Sequence, residues 1–224
     1  GAGLEPSDAF NTVARAAIRW TYEALSDDNR DWLAELPAGP LVVDDLLEIC
    51  HGTPFDEDMY VFDDADVLRA MQAADRRVVL FGHTHVQVGY RLANQSLTLA
   101  TADVRRPLHI AIGPGHYLIN PGSVGQPRDG DPRAGFGVYD AASQVVEIYR
   151  VPYPIERTQI RIREAGLPEA LAQRLALASV AGGGKFCFTL TVTDIATGWT
   201  ENRTVPDKRK ANVVAAITDV VTHL

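Results

Sequence analysis

The N-terminal part of the chain carries apolar residues three and four positions apart, which is the spacing of one face of a helix. One such run follows the capping residues Ser7 and Asp8, and a second run begins at Ser26. Residues 64–75 return to the same spacing, and a further helical run occupies residues 168–178. The pattern therefore predicts four helices.

Between the last two of these helices, the pattern changes to short β-branched or aromatic runs separated by Gly, Pro, Asn or Asp, which is typical of strands. The predicted strands are 77–81, 86–91, 95–100, 107–112, 116–120, 135–140 and 145–150. Earlier, residues 41–51 predict two short strands on either side of Asp44 and Asp45, an acidic pair typical of a turn. The mixture of helices and strands indicates an α/β protein.

Two segments lack any regular pattern. Residues 120–135 hold four Gly and three Pro, which predicts a loop. Residues 179–184 (SVAGGG) are small side chains without a packing requirement, which predicts a linker. We therefore expect one domain over residues 1–178 and a separate segment over residues 185–224.

The composition excludes several classes of protein. The 224 residues are 46% hydrophobic and 22% charged, as in ordinary globular proteins, and the two cysteines are too few for a disulfide scaffold. Cys50 and Cys187 lie inside apolar runs, so we expect buried, reduced thiols. A net charge of −8 argues against a protein built to wrap nucleic acid.

The sequence predicts no association with a membrane. No apolar run approaches the ~20 residues of a bilayer-spanning helix. The first ten residues lack the basic start and apolar stretch of a secretory leader. We therefore expect a cytoplasmic protein.

Three histidines follow apolar β runs directly: His51, His83 and His85. Side chains at the carboxyl end of a strand face the crevice where open α/β sheets bind ligands. His83 and His85 are two residues apart, so they either share one face of a strand or diverge, in a turn, toward two adjacent metal ions. The histidines expected to be merely packed or surface residues are His109, His116 and His223.

Three motifs in this order resemble the later motifs of the calcineurin-like metallophosphoesterases, in their small bacterial phosphodiesterase-like branch. They are His51-Gly-Thr-Pro, Gly82-His-Thr-His and the run NPGSVGQPR at residues 120–128. The resemblance covers roughly residues 4–178 and implies an incomplete, N-terminally truncated four-layer α/β/β/α sandwich. It also implies two metal ions at the sheet edge, with His51 and His83 on one ion and His85 on the other, and a phosphate-ester small molecule as substrate.

The implied chemistry is hydrolysis of a phosphomonoester or phosphodiester. Two divalent ions ~3.5–4 Å apart can clamp a phosphoryl group and activate a water molecule. Imidazole ligands suit Mn, Fe, Ni or Zn better than Mg or Ca. Two such ions repel each other by roughly 5 kcal/mol even at the dielectric constant of water, so the pair also needs a bridging carboxylate.

The family supplies its carboxylates from earlier motifs of the form Asp-x-His, Gly-Asp-x-x and Gly-Asn-His-Asp. None of these precedes the histidine motifs in this sequence, and the one Gly-Asp pair, Gly130-Asp131, comes after them. Among possible substitutes, Asp44 and Asp45 are typical of a turn, and Asp56, Glu57 and Asp58 are typical of a solvated acidic loop. We therefore expect a weak, single metal site with little hydrolysis. Loss of part of the core also predicts self-association through exposed apolar surface.

The C-terminal segment carries a second resemblance. Residues 186–194 form an apolar strand that ends in Asp194, and a turn, a second strand and a helix follow. This order resembles the opening of the DDE integrase and transposase core, a partial RNase H-like β-β-α tail. The resemblance implies that Asp194 is the first of three carboxylates that bind Mg, and only this tail would involve nucleic acid. The alternative interpretation of Asp194 is a plain hairpin turn. The alternative functions of the whole chain are a DNA-integration protein and a catalytically silent fusion fragment.

Overall fold

The computed structural model of the chain describes residues 11–100 and 107–178, which fall into two compact units. Several predictions concern residues outside these ranges: those for Ser7, Asp8, the linker at 179–184, Cys187, His223, and the integrase-like tail at 185–224 with Asp194. No described helix is both long and apolar enough to cross a membrane.

The described residues form five helices, and the four predicted helices are confirmed. The helices are α1 (Thr12–Ala24), α2 (Asp27–Ala34), α3 (Asp64–Ala73), α4 (Ile155–Glu164) and α5 (Glu169–Leu177). α2 begins after Ser26, as predicted. α1 has Asn11 as its cap, whose side chain accepts a hydrogen bond of 2.8 Å from the Ala14 amide.

The first unit holds helices α1, α2, α4 and α5. α4 was not predicted. Its isoleucines at positions 160 and 162 alternate with arginines, which imitates the period of a strand, and Ile162 is its one fully buried residue. The core of this unit consists of Ala17, Ile162, Leu167, Leu171, Ala172 and Leu175.

The second unit holds α3 and two sheets, and the predicted strands are confirmed. The strands are β1 (Leu41–Val42), β2 (Leu47–Ile49), β3 (Val78–Leu80), β4 (Val88–Ala93), β5 (Ser96–Ala100), β6 (Leu108–Ala111), β7 (His116–Asn120), β8 (Ala134–Asp140) and β9 (Val145–Val151). The larger sheet has the order β1-β2-β3-β7-β4-β5, and its central strands β2, β3 and β7 are parallel. The smaller sheet is antiparallel, in the order β6-β9-β8.

Alternating side chains divide the core of this unit into two clusters. Val78 and Ile119 face the smaller sheet, where they pack with Val146 and Ile148. Val79 and its neighbours face the other way, where they pack against α3. The described unit therefore has three layers, namely a helix and two sheets, and the predicted mixed α/β class is confirmed.

The three parallel strands end at the same edge of the larger sheet. Ile49, Leu80 and Ile119 are paired across β2, β3 and β7. The predicted site residues follow these strand ends directly along the chain. The register alone therefore brings the segments after residues 49, 80 and 119 to one edge, where open α/β sheets bind ligands.

Candidate metal centre

His51 and His83 lie in direct contact at this edge. The Nδ1 atom of His83 is 2.9 Å from the Nε2 atom of His51, and the two rings meet edge to face with their centroids 4.8 Å apart. Their loops are also joined, because the Gly82 amide donates a hydrogen bond of 2.8 Å to the His51 carbonyl. The structure thus brings together two of the three predicted histidines, from segments more than thirty residues apart.

His85 is held by a single well-defined hydrogen bond. Its ring is buried, and the Nδ1 atom lies 2.8 Å from the carbonyl oxygen of Gln126. A carbonyl can only accept, so Nδ1 carries the proton and the lone pair of the neutral ring is on Nε2. This is the arrangement in which proteins usually present an imidazole to a metal ion.

His83 and His85 lie in a turn between β3 and β4 rather than in a strand. Both have left-handed backbone conformations, with φ of 59° and 57°, which are uncommon for residues other than glycine. The shared-face alternative is therefore wrong for this pair. Both candidate ligands thus have an uncommon backbone conformation, as is frequent at functional sites.

Asn120 fastens this turn to the end of β7. Its buried side-chain amide donates to the Gly82 carbonyl at 2.7 Å and to Thr84 Oγ1 at 2.8 Å, and its side-chain oxygen accepts from the Gly122 amide at 2.9 Å. Sequence reasoning assigned Asn120 no role of its own. The available signal was its position as the last residue of a buried strand, directly before Pro-Gly.

A second network, also missed from the sequence, fixes the loop after β7. Asp129 accepts a hydrogen bond of 3.0 Å from the Gln87 amide and forms an ion pair with Arg150. The Arg150 guanidinium also donates to Gln87 Oε1 at 3.1 Å. Because the side chains of Arg150 and Asp129 are only 8% and 15% exposed, this pair anchors the loop in a largely dry environment.

Arg128 places a positive charge beside the histidines. Its amide donates to the His85 carbonyl at 3.1 Å, and its Nη1 atom donates to the His83 carbonyl at 3.3 Å. Burial lowers the pKa of His83 to about 4, with His51 and Arg128 adding to the shift, and burial followed by Arg128 lowers the pKa of His85 to about 3. The pKa of His51 is also lowered by burial. All three rings are therefore neutral at physiological pH.

The carboxylates considered as metal ligands do not join the histidines. Asp44 is a turn residue, as predicted: it accepts hydrogen bonds from the Leu46 and Leu47 amides at 2.8 and 2.7 Å, which lower its pKa. Asp56, Glu57 and Asp58 are exposed, as expected of a solvated loop. In residues 11–100 and 107–178, no group of three or more His, Cys, Asp or Glu side chains is placed to hold one metal ion.

The acidic loop nevertheless packs closely beside His51. A Cβ atom at Gly52 would lie only 2.5 Å from the Glu57 carbonyl oxygen and 2.7 Å from that of Met59. Glycine is therefore the residue that permits this approach. The charges of Asp58 and Glu57 oppose the lowering of the pKa of His51.

The remaining sequence candidates are not part of this cluster. His109 and His116 are exposed, as expected, and His109 Nδ1 lies 2.8 Å from Glu147 Oε1. Cys50 is a free thiol, and burial raises its pKa to about 12, which makes it a poor nucleophile.

The donor set fits a divalent transition metal. Two nitrogen ligands at about 2.0–2.1 Å from one metal ion lie about 2.9 Å apart at a right angle and about 3.3 Å apart at a tetrahedral angle, and His51 Nε2 and His83 Nδ1 are 2.9 Å apart. Neutral imidazoles favour Zn, Fe, Ni and Mn over Mg and Ca.

The fold and the histidine cluster together are those of a metallophosphoesterase-like α/β protein. A family model described as the calcineurin-like phosphoesterase superfamily domain matches residues 28–144. The chain belongs to the calcineurin-like phosphoesterase superfamily, and it is a phosphoesterase by ancestry.

Known proteins support this assignment. The chain is 30% identical over 187 residues to the uncharacterized protein MJ0912 of Methanocaldococcus jannaschii, covering 78% of this chain and 70% of that protein. The crystal structure of a metallophosphoesterase from Sphaerobacter thermophilus matches with a TM-score of 0.67 and 36% identity, over 79% of this chain and 72% of that one. The hypothetical protein PH1004 from Pyrococcus horikoshii shares the fold, with a TM-score of 0.60, 19% identity and coverage of 77% and 63%.

The comparisons support the first of the two family resemblances and not the second. The calcineurin-like interpretation is confirmed at the level of the family and the mixed α/β fold. The integrase-like interpretation of residues 185–224 has no support in these matches.

Proposed function

We propose that this chain binds a divalent transition-metal ion, such as Mn, Fe, Ni or Zn, through the adjacent rings of His51 and His83, with His85 as a ligand for a second ion, and that it hydrolyses phosphate esters there. The observation that carries the proposal is the 2.9 Å contact between His51 Nε2 and His83 Nδ1. Membership of the phosphoesterase superfamily supports the same reaction class.

In this proposal the protein's own residues bind the metal ion and hold the binding turn in place. His51 and His83 offer neutral nitrogen donors, because their pKa values are lowered. Asn120 holds the turn of His83 and His85 in place. When bound, the metal would supply Lewis-acid polarisation of a phosphoryl oxygen and a more acidic water molecule.

Arg128 gives the site its preference for an anion. Its charge acts on both His83 and His85, as the lowered pKa values of these two rings record. A guanidinium beside a bound cation repels further cations and attracts a phosphate ester. The substrate class proposed is therefore a small anionic phosphomonoester or phosphodiester.

We further propose that turnover by this chain is slow. No described carboxylate joins the histidines, and two divalent ions need such an anion to offset their mutual repulsion. The site then holds one ion well and a second ion poorly. Mechanisms that use two metal ions to stabilise both the attacking and leaving oxygens are correspondingly impaired.

The test is Mn-dependent hydrolysis of a chromogenic phosphodiester by the full chain. We expect a slow rate that His83→Ala abolishes. His109→Ala is the matched control, because it removes an exposed histidine outside the cluster, and it should leave the rate unchanged. Equal rates in the wild type and His83→Ala would overturn the proposal.

A further inference from the structure

A row of aromatic rings in contact leads from the histidine pair to the protein surface. The ring of Tyr60 packs on the ring of His83 with centroids 4.0 Å apart. The ring of Phe62 stacks in turn on the ring of Tyr60, with centroids 5.2 Å apart and an angle of only 11° between the ring planes. The row thus connects a candidate metal ligand to a surface aromatic residue through a single intervening ring.

Phe62 is the outer end of this row, and it is 79% exposed, the highest value among the large hydrophobic side chains in the described ranges. One face of its ring contacts Tyr60, so the exposed area includes the other face. A residue in this position, just before the cap of a helix, commonly packs on the fourth helical residue and is buried there. In α3 the fourth helical residue, Val67, is buried, whereas Phe62 remains exposed.

The backbone that carries Phe62 is held firmly. Asp63 caps α3 by accepting a hydrogen bond of 2.9 Å from the Asp66 amide. The Asp66 side chain accepts one of 3.0 Å from the Phe62 amide. These two bonds fix the segment before the helix begins. Phe62 is therefore presented outward on a preorganised support, which lowers the entropic cost of binding against it.

We propose that the stacked pair Tyr60 and Phe62 is a platform for a planar aromatic ring that a ribose separates from the phosphate group, so that the preferred ligands are nucleotides. The inference rests on the proposed function, because it takes the phosphate group to lie at the histidines. Aromatic faces bind such rings in a sequence-tolerant way, since every nucleobase has a π face. Phe62 then determines specificity without contacting the reacting atoms.

Negative charge near the platform further restricts the range of ligands that can bind there. Phe62 is followed directly by the exposed carboxylates of Asp63 and Asp64. These carboxylates repel additional phosphate groups near the ring. The preferred ligand therefore carries one phosphate group, at the histidine end, and a ring without negative charge at the Phe62 end.

The experiment is calorimetric binding to the full chain with Mn²⁺, using three probes: adenosine 5′-monophosphate, uridine 5′-monophosphate and ribose 5-phosphate. The first two carry a ring and the third does not. Stacking of one base is worth about fivefold to a hundredfold in affinity. We expect both ring-bearing ligands to bind more tightly than ribose 5-phosphate by a factor in this range.

Variants locate the effect. Phe62→Leu should remove the advantage of the ring-bearing ligands and leave ribose 5-phosphate unchanged, whereas Phe62→Trp should keep the advantage. Phe55→Leu is the matched control, because Phe55 is an exposed phenylalanine that contacts Arg69 rather than the stacked pair. It should bind all three ligands like the wild type.

The outcomes separate this inference from the proposed function. Equal affinity of the wild type for ligands with and without a ring would overturn the platform and leave the phosphate site intact. An advantage that survives in Phe62→Leu would also overturn it. Failure of ribose 5-phosphate to bind at all would count against the proposed function, whereas adenosine binding that depends on Phe62 would still support the platform.

Discussion

The side-chain amide of Asn120 donates a buried hydrogen bond of 2.8 Å to Thr84 Oγ1, which lies between the two histidines of the turn after β3. The same amide also bonds the Gly82 carbonyl. One side chain at the end of β7 thus sets the position of the turn at the end of β3. The parallel pairing of β3 and β7 makes this possible, because it brings both strand ends to the same edge.

Replacing Asn120 should therefore disturb both the fold and the site. Asn120→Ala leaves the Gly82 carbonyl, Thr84 Oγ1 and the Gly122 amide without this partner, and each such loss costs about 1–3 kcal/mol when buried. We expect a lower free energy of unfolding by chemical denaturation. Gln72→Ala, at an exposed position of α3, should have no effect and serves as the control. An unchanged midpoint in Asn120→Ala would contradict this role.

The buried ion pair of Arg150 and Asp129 should contribute far more to the free energy of unfolding than the exposed pair of Arg163 and Glu169. Arg150 and Asp129 are 8% and 15% exposed, whereas Arg163 and Glu169 in the other unit are 46% and 49% exposed. Removing one partner of a buried pair costs about 3–5 kcal/mol, and an exposed pair contributes about 1 kcal/mol or less.

The matched variants are Asp129→Asn and Glu169→Gln, compared by chemical denaturation. We expect a large loss of stability in the first and almost none in the second. Similar small losses in both would show that the Asp129 side chain does not anchor the loop after β7.

Glu48 predicts how stability depends on pH. This residue is fully buried in β2, and burial raises its pKa from the ordinary value of 4.5. The folded state therefore favours the protonated form. As pH rises through 4.5, the unfolded chain loses its proton more readily than the folded chain, so the folded state loses stability until pH exceeds the folded pKa.

Glu48→Gln should remove this loss, so the variant should be more stable than the wild type at neutral pH and show a flatter profile on the alkaline side of 4.5. The check is the free energy of unfolding measured across that range. Glu35→Gln, at an exposed position, should keep the wild-type profile. If the free energy of unfolding of Glu48→Gln depended on pH as in the wild type, Glu48 would not be the cause of the loss of stability.

The sequence predicted the elements whose periodicity was clear and missed the one whose pattern was ambiguous. The apolar face of α3 and the β-branched strands left little choice, because each pattern fits one period alone. α4 was missed because Ile160 and Ile162 alternate with arginines like the residues of a strand, although only Ile162 is buried. Burial depends on tertiary packing, which a local pattern does not contain.

The site was predictable in its ligand types but not in its support. The positions of His51, His83 and His85 after apolar runs were visible in the sequence. The partners that hold them, Asn120 and Gln126, act through a side-chain amide and a backbone carbonyl from a loop about forty residues away. Whether His83 and His85 share a face also depends on their left-handed backbone, which histidine adopts more often than most residues but which the residue type alone does not determine.

The central claim is that the histidine cluster binds a divalent transition metal, and the most direct test is calorimetric titration of the full chain with Zn²⁺ and Mn²⁺. Burial lowers the pKa of His83 to about 4 and lowers that of His51 below its ordinary value of 6.5, so protons compete with a metal ion for these rings only in acidic solution. Binding should therefore be at full strength at neutral pH and weaken as the solution is made acidic.

We predict one ion per chain, with an affinity that falls at least tenfold in His51→Ala and His83→Ala and stays unchanged in His109→Ala. Binding of the same strength in the wild type and in both His51→Ala and His83→Ala would contradict the account.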